Sequence, residues 1–167
     1  MERKQDSPHE FLEAYRTLTE DQLHRLNTYL MDLEKCPPGD RREDLYQKIY
    51  REYHNMKGAA GAVRQTNVID LAHELEGLLE LMRMRRIVES VEIFNLHYEC
   101  LDAISLMVRS RLGGEALPDH LFQDMWRRID DVGKAAAQET TTLNSSGRRP
   151  ERQTDRRYFL RKGNRHG

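Results

Sequence analysis

The chain has 167 residues, of which 33% are charged and 38% hydrophobic, and its formal net charge at pH 7 is −1. This length suffices for one domain with a hydrophobic core and a tail. The composition excludes a membrane span, because no apolar run approaches about 20 residues, and the polar start MERKQDSPHE is not a secretory signal. Without such a signal, Cys36 and Cys100 indicate reduced thiols, and we expect a cytoplasmic protein.

Apolar residues recur with the period of an α-helix along five stretches, and few strand-like alternations occur. Ser7 with Glu10, and Asp40 with Glu43, have the spacing of helix N-terminal caps. The expected helices are Pro8–Glu34, a second after Asp40 to Ala62, Asn67–Arg85 with Asn67 or Thr66 as its cap, Glu89–Leu112, and Pro118–Ala137.

Short connections make neighbouring helices antiparallel. The sequence therefore predicts an all-α antiparallel bundle, with four helices as the core and a fifth packed on or beside it. We assign residues 1–137 to this domain.

The remaining residues, 138–167, have a different character. They hold eight Arg and Lys against three Asp and Glu, whereas residues 1–137 hold 19 against 25. A Thr run, Ser145-Ser146-Gly147 and repeated arginine pairs leave few apolar residues there. This composition predicts a flexible basic tail.

The second predicted helix carries an unusual outer surface around His54. Advancing about 100° per residue places its apolar residues on one face and His54 roughly opposite. Those apolar residues are Leu45, Ile49, Tyr53, Met56, Ala60 and Val63. Tyr50, Lys57, Gly58 and Gly61 are the outer neighbours of His54. Glycine costs a helix about 1 kcal/mol against alanine, so Gly58 and Gly61, with Tyr50, predict a place where another protein docks.

The third predicted helix carries His73 and Glu76 off its apolar stripe. If it packs antiparallel to the second helix through a short turn, Glu76 faces back towards His54. A carboxylate bonded to one imidazole nitrogen fixes the tautomer and makes the other nitrogen more basic. Imidazole is nucleophilic near neutral pH, and Lys57 one turn away can offset the charge of a phosphoryl group.

These motifs resemble the histidine-containing phosphotransfer (HPt) domain, most closely the N-terminal phosphotransfer domain of CheA-type chemotaxis histidine kinases. The residues that carry the resemblance are His54-x-x-Lys57-Gly58, the small residues up to Gly61, and His73-x-x-Glu76. The five-helix layout extends it over residues 1 to about 137. By this resemblance His54 is the phosphorylated histidine, Glu76 orients its ring, and Lys57 and His73 complete the polar cluster.

The resemblance also implies a function. The protein would relay a phosphoryl group between a histidine kinase and the aspartate of a response regulator. No Asp-x-Gly-x-Gly nucleotide-binding element is present, so we expect a phosphocarrier without its own ATP-binding domain and with no bound cofactor or metal. ATP and Mg²⁺ are expected on the partner kinase, and Mg²⁺ on the receiver. The initial Met and the irregular tail favour a free-standing carrier over a fragment of a kinase.

Three alternatives remain open from the residues. A bundle of this kind can bind receivers without accepting phosphate. The basic tail, with Tyr158 and Phe159, can contact nucleic acid, although we expect a solvated terminus because no base-reading fold surrounds it. His97 and Cys100, three residues apart, can bind a metal, but no further ligand pair lies nearby, so we expect them to lie in the core or on the surface instead.

Overall fold

Five α-helices make up all the regular structure that the computed structural model describes, which covers residues 8–113, 117, 118 and 120–145. They are α1 (Pro8–Lys35), α2 (Asp40–Ala62), α3 (Thr66–Arg83), α4 (Val91–Arg111) and α5 (Leu121–Ser145). The prediction of an all-α fold is confirmed.

Two of the predicted helix caps are wrong. Gly39, at φ 147°, is the N-cap of α2, and Asp40 is the first helical residue. There the carboxylate of Asp40 still complements the positive end of the helix dipole. Gln65 precedes α3, so Thr66 and Asn67 lie inside the first turn. The side chain of Asn67 accepts a hydrogen bond only from the next backbone N–H.

Contacts between paired helices show that α1, α2 and α3 run antiparallel. Along α2, Glu43 bonds Arg83 near the end of α3, and Lys57 bonds Glu76 nearer its start. Arg25 of α1 holds Glu52 of α2 through two hydrogen bonds of 2.8 and 3.0 Å, and Arg42 near the start of α2 donates to the Leu33 carbonyl near the end of α1. The short turns therefore bring consecutive helices side by side in opposite directions, as expected.

The second and fourth helices lie diagonally across the bundle and run parallel. The Tyr46 hydroxyl donates to the carboxylate of Glu89 just before α4. At the other end of α2, the Gln65 amide donates to the Met107 carbonyl at 2.8 Å. Because α4 also contacts α1 and α3, the four helices close into one bundle around a shared core.

Leucine and methionine fill this core, and burial of such side chains contributes about 1.5–3 kcal/mol each. The largest fully buried side chains are Tyr53, Leu26, Leu30, Leu33, Ile49, Met56, Leu71, Leu75, Leu78, Leu79, Met82 and Leu101. Every one of the four bundle helices contributes to this set, which holds α2 firmly against its neighbours.

Two residues of the α1 apolar stripe remain on the surface, since Phe11 is 50% and Leu18 46% exposed. They lie seven residues apart, on the side of α1 that also carries Arg25, which faces α2. The register set by Arg25 and Glu52 places residue 15 opposite the end of α2, so Phe11 lies beyond that helix, whereas Leu18 still lies beside its last turn.

The fifth helix packs against α3 and α4, outside the four-helix core. Ile129 and Ala136 of α5 are buried, and Arg128 bonds Glu99 of α4. The helix continues to Ser145, eight residues beyond the expected boundary at Ala137. Gln138 and Glu139 are good helix formers, and no Gly or Pro interrupts the following residues. The predicted tail beyond Ser145, and the Ser7 cap, lie outside the described residues.

Candidate functional site

His54 lies on the outer surface of α2, while Tyr53 and Met56 of the same helical turn face the core. Its side chain is 67% exposed, whereas the flanking Tyr53 and the next-but-one Met56 are fully buried. Packing of these two residues fixes the rotation of α2 about its axis. The imidazole is therefore presented to solvent by a helix that cannot easily turn.

A buried carboxylate lies directly behind this imidazole. Oε1 of Glu76, on α3, is 3.6 Å from Nδ1 of His54, and the Glu76 side chain is only 4% exposed. Nζ of Lys57 lies 2.5 Å from the other carboxylate oxygen, Oε2. Oε1 has no hydrogen-bond partner within the part of the chain that the structure describes. Since a buried carboxylate oxygen strongly favours a donor, Nδ1–H of His54 is the group placed to supply one.

The predicted docking residues surround His54 on α2. The ring of Tyr50 stacks on that of His54, with centroids 6.5 Å apart and an interplanar angle of 14°. A Cβ atom added at Gly58 or Gly61 would meet nothing within 4 Å. Among the helices α1 to α5, none packs so closely that these positions require glycine, and the described surface beside His54 is open.

His73 occupies the turn of α3 that precedes Glu76. Its side chain is 33% exposed, and its Nδ1 lies 3.8 Å from Oε1 of Glu74. The structure thus brings His54, Lys57 and Glu76 into one cluster and places His73 one turn away on the same helix as Glu76. Its role beside His54 stays a prediction.

A buried polar pair behind His54 was not anticipated from the sequence. The hydroxyl of Tyr53 and Nδ1 of His97, on α4, share a hydrogen bond of 2.8 Å, and their rings stack at 6.0 Å. Burial lowers the pKa of His97 from 6.5 to about 3, so this imidazole is neutral. Burial likewise raises the pKa of the Cys100 thiol to about 12. Both His97 and Cys100 lie in the core.

This arrangement belongs to a recognisable class. It is a helical bundle that presents an exposed imidazole on a rigid helix, with its inner nitrogen directed at a buried carboxylate. Groups of three or more His, Cys, Asp or Glu side chains able to hold a metal ion do not occur within the described ranges.

Comparison with known proteins agrees with this class. The Hpt domain model matches residues 10–111, which is more than half of the chain. The chain belongs to the Hpt domain family. The match covers α1 to α4 and excludes α5.

Several relatives are chemotaxis proteins CheA. The chain is 28% identical to that of Treponema pallidum (strain Nichols) over 105 residues, which are 63% of this chain and 13% of that protein. It is 32% identical to the Halobacterium salinarum protein over 95 residues, or 57% and 14% of the two chains. For Cereibacter sphaeroides the figures are 25% over 132 residues, 75% and 19%. The chain thus spans less than a fifth of these relatives. Across the described residues, we find no helix with the length and apolarity that a membrane span requires.

Proposed function

We propose that this protein is a phosphotransfer module of a two-component signalling system, in which Nε2 of His54 receives a phosphoryl group and passes it on. The observation that carries the proposal is the exposed His54 ring with its Nδ1 3.6 Å from the buried carboxylate of Glu76. Membership of the Hpt domain family supports it.

Glu76 acts on the nucleophile by holding the proton on Nδ1. With Nδ1–H directed at this carboxylate, the lone pair of His54 is on Nε2, the nitrogen that faces solvent. When Nε2 attacks the phosphorus of a donor, the Nε2–P bond forms as the donor P–O bond breaks, and the electron pair leaves with that oxygen. The ring then carries positive charge, which the adjacent Glu76 carboxylate stabilises.

Lys57 has a separate task in this proposal. Its ammonium neutralises Glu76 at 2.5 Å in the resting protein, and it lies one helical turn from His54. A phosphoryl group on Nε2 adds negative charge at the mouth of the cluster, which Lys57 can share between the carboxylate and the phosphate. Lys57 is therefore a positioning residue that balances charge before and after transfer.

The partners follow from the reaction. The donor is the ATP-binding domain of a histidine kinase, which supplies ATP and Mg²⁺. The acceptor is the aspartate of a response regulator, whose site holds its own Mg²⁺. The exposed glycines Gly58 and Gly61, with Tyr50, form the surface on which either partner approaches His54.

The test compares the wild type with His54→Gln in an extract of the source organism supplied with labelled ATP. We expect label on the wild type alone, lost in acid and retained in base, as for a phosphoramidate. A phosphotransfer protein of known activity in the same extract shows that a kinase is active. Equal label on both proteins, or no label on the wild type while the reference protein is labelled, would refute the proposal.

A further inference from the structure

Beside His54 the molecule has a groove whose purpose the phosphotransfer cluster does not explain. It lies between α2 and α5, with α3 as its floor, and has a volume of about 750 Å³. We call it the α2–α3–α5 groove. The α3 residues along its floor extend from Glu76 to Arg83, and Met84 and Arg86 line it just beyond the helix. Eight helical residues span about 12 Å, which is room for about two turns of an additional helix.

The lining of the groove is suited to a helix with an apolar stripe. Tyr46 and Tyr50 form the α2 wall, and Leu79 and Met84 lie on the α3 side. On α5 the wall consists of small residues, including Gly133, Ala136 and Ala137. Met84 is 43% and Tyr50 39% exposed. Small residues on one wall and exposed large apolar side chains on the others allow close approach of a second helix.

The groove is physically continuous with the phosphotransfer cluster. Tyr50 lines the groove and stacks on His54, and Glu76 lines it while lying 3.6 Å from His54 Nδ1. A segment bound in the groove therefore contacts residues that touch the acceptor ring. A partner held there has the phosphorylated side chain at its edge.

The charges at the rim identify the kind of segment that fits. Three arginines, Arg51, Arg83 and Arg86, line the groove with two glutamates, Glu76 and Glu80. Each glutamate already contacts a basic residue, since Glu76 pairs with Lys57 and Glu80 with Arg83. Arg83 also bonds Glu43, but the three arginines and two glutamates that line the groove still sum to +1, so acidic residues flanking an apolar stripe complement it.

The charge of the rim also helps to decide which segment could bind in the groove. The segment that follows α5 in this chain is rich in arginine, so it has the same sign as the rim and is a poor match. A receiver is a better one, because the carboxylates that bind its Mg²⁺ make the surface that meets His54 acidic.

We infer that the α2–α3–α5 groove binds an acidic amphipathic helix of the response regulator that exchanges phosphate with His54. This inference rests on the proposed function. It makes α5, which lies outside the residues matched by the family model, a determinant of which receiver is served. A receiver helix in the groove would directly contact Ala137 on the α5 wall and Arg51 at the rim.

The experiment measures transfer from a protein already labelled on His54. Labelled phosphoramidate loads the full chain: its P–N bond breaks, ammonia leaves, and the Nε2–P bond forms. The loaded protein is mixed, with Mg²⁺, with each purified receiver domain encoded by the source organism. Transfer is counted per labelled molecule, so differences in loading do not enter.

The variants are matched pairs. Ala137→Glu places a bulky negative charge on the groove wall, whereas Ala135→Glu places the same side chain on an exposed α5 residue that does not line the groove. Arg51→Glu reverses the rim charge, and Arg41→Glu makes the same change elsewhere on α2. We expect Ala137→Glu and Arg51→Glu to slow transfer to the best receiver at least about tenfold, and both controls to stay within about twofold.

Each outcome has a defined meaning. Loss of label by His54→Gln, with slow transfer only in the groove variants, supports the inference. Normal transfer in Ala137→Glu and Arg51→Glu, or no receiver accepting label from the wild type, overturns it while His54 remains the acceptor. Failure of the wild type to take label on His54 refutes the proposed function itself. Faster transfer after truncation at Ser145 would assign the groove to the chain's own C-terminal segment. Sedimentation showing a dimer that Ala137→Glu disrupts would assign it to a second copy.

Discussion

Oε1 of Glu76 and Nδ1 of His54 lie 3.6 Å apart, one atom inside the bundle and the other on a ring that is 67% exposed. The carboxylate is held from behind by Lys57 at 2.5 Å, so it cannot turn away from the ring without losing an ion pair. The two ring nitrogens of the exposed histidine therefore have different surroundings, since only Nδ1 lies beside a fixed carboxylate.

Removing the charge of Glu76 should change the tautomer of His54. In Glu76→Gln the neutral amide holds the Nδ1 proton less strongly, so Nε2 is less often the free nitrogen. We expect about 10–100-fold slower labelling of His54, with ¹⁵N chemical shifts of its ring moving towards the Nε2–H form. Asp44→Asn removes a carboxylate at the other end of α2 and should leave the shifts in place. Unchanged shifts in Glu76→Gln would contradict the assigned role.

Substituting alanine for Gly58 should affect the stability of the fold and the binding of a partner in opposite directions. Open space surrounds the position, so Gly58→Ala should raise the free energy of unfolding by about 1 kcal/mol through helix propensity alone. The added methyl group should nevertheless slow labelling by the kinase, relative to labelling by phosphoramidate, if a partner contacts the helix there. Denaturant unfolding gives the first quantity and the two labelling rates the second. A gain in stability with an unchanged ratio would show that Gly58 is not in the docking surface.

The buried His97 predicts a dependence of stability on pH. Its pKa is about 3 in the folded protein and 6.5 when unfolded, so below pH 6.5 the unfolded chain binds a proton that the folded chain does not. Stability due to this residue is complete above pH 6.5 and falls by about 1.4 kcal/mol per pH unit as pH decreases towards 3.

This pH dependence can be isolated by comparing variants. Unfolding by urea at pH 7, 6 and 5 should show a smaller loss of stability in His97→Gln than in the wild type. His24→Gln, on the exposed surface of α1, is the control for loss of an imidazole. Equal slopes in the wild type and His97→Gln would show that the His97 ring takes up a proton inside the fold.

A backbone position at the end of α3 offers a stabilising substitution. Arg85 has φ 55°, a left-handed conformation, and its N–H and that of Arg86 bond carbonyls of the last turn. Glycine adopts this conformation without the penalty of a Cβ atom. Arg85→Gly should therefore raise the free energy of unfolding by about 0.5–1 kcal/mol relative to Arg85→Ala, which loses the same guanidinium. Thermal unfolding of the two variants measures the difference, and an equal or lower value for glycine would contradict it.

The sequence was sufficient to predict the helices and the relation between His54 and Glu76, because both depend on local periodicity and one short turn. The exposure of Phe11 could not be predicted in this way. Periodicity identifies the face of a helix, but not how far the opposite helix extends. The continuation of α5 past Ala137 was missed because the residues there carry no apolar stripe.

The hydrogen bond between Tyr53 and His97 illustrates a second limit. The two residues are 44 positions apart, and their helices are not consecutive in the chain. No sequence motif or spacing relates the two residues, so the sequence does not indicate that they form a hydrogen bond. The α2–α3–α5 groove is similar, since its three walls come from separate helices whose relative positions only packing determines.

Tyr53 and His54 are consecutive residues that face opposite ways, one bonded to the centre of the bundle and the other open to solvent. The helix α2 therefore cannot fray locally around His54 without breaking a buried hydrogen bond to α4. Amide hydrogens of α2 near residue 54 should exchange with solvent only through opening of the whole bundle. A partner would then meet a preformed surface and would have to supply any conformational adjustment itself.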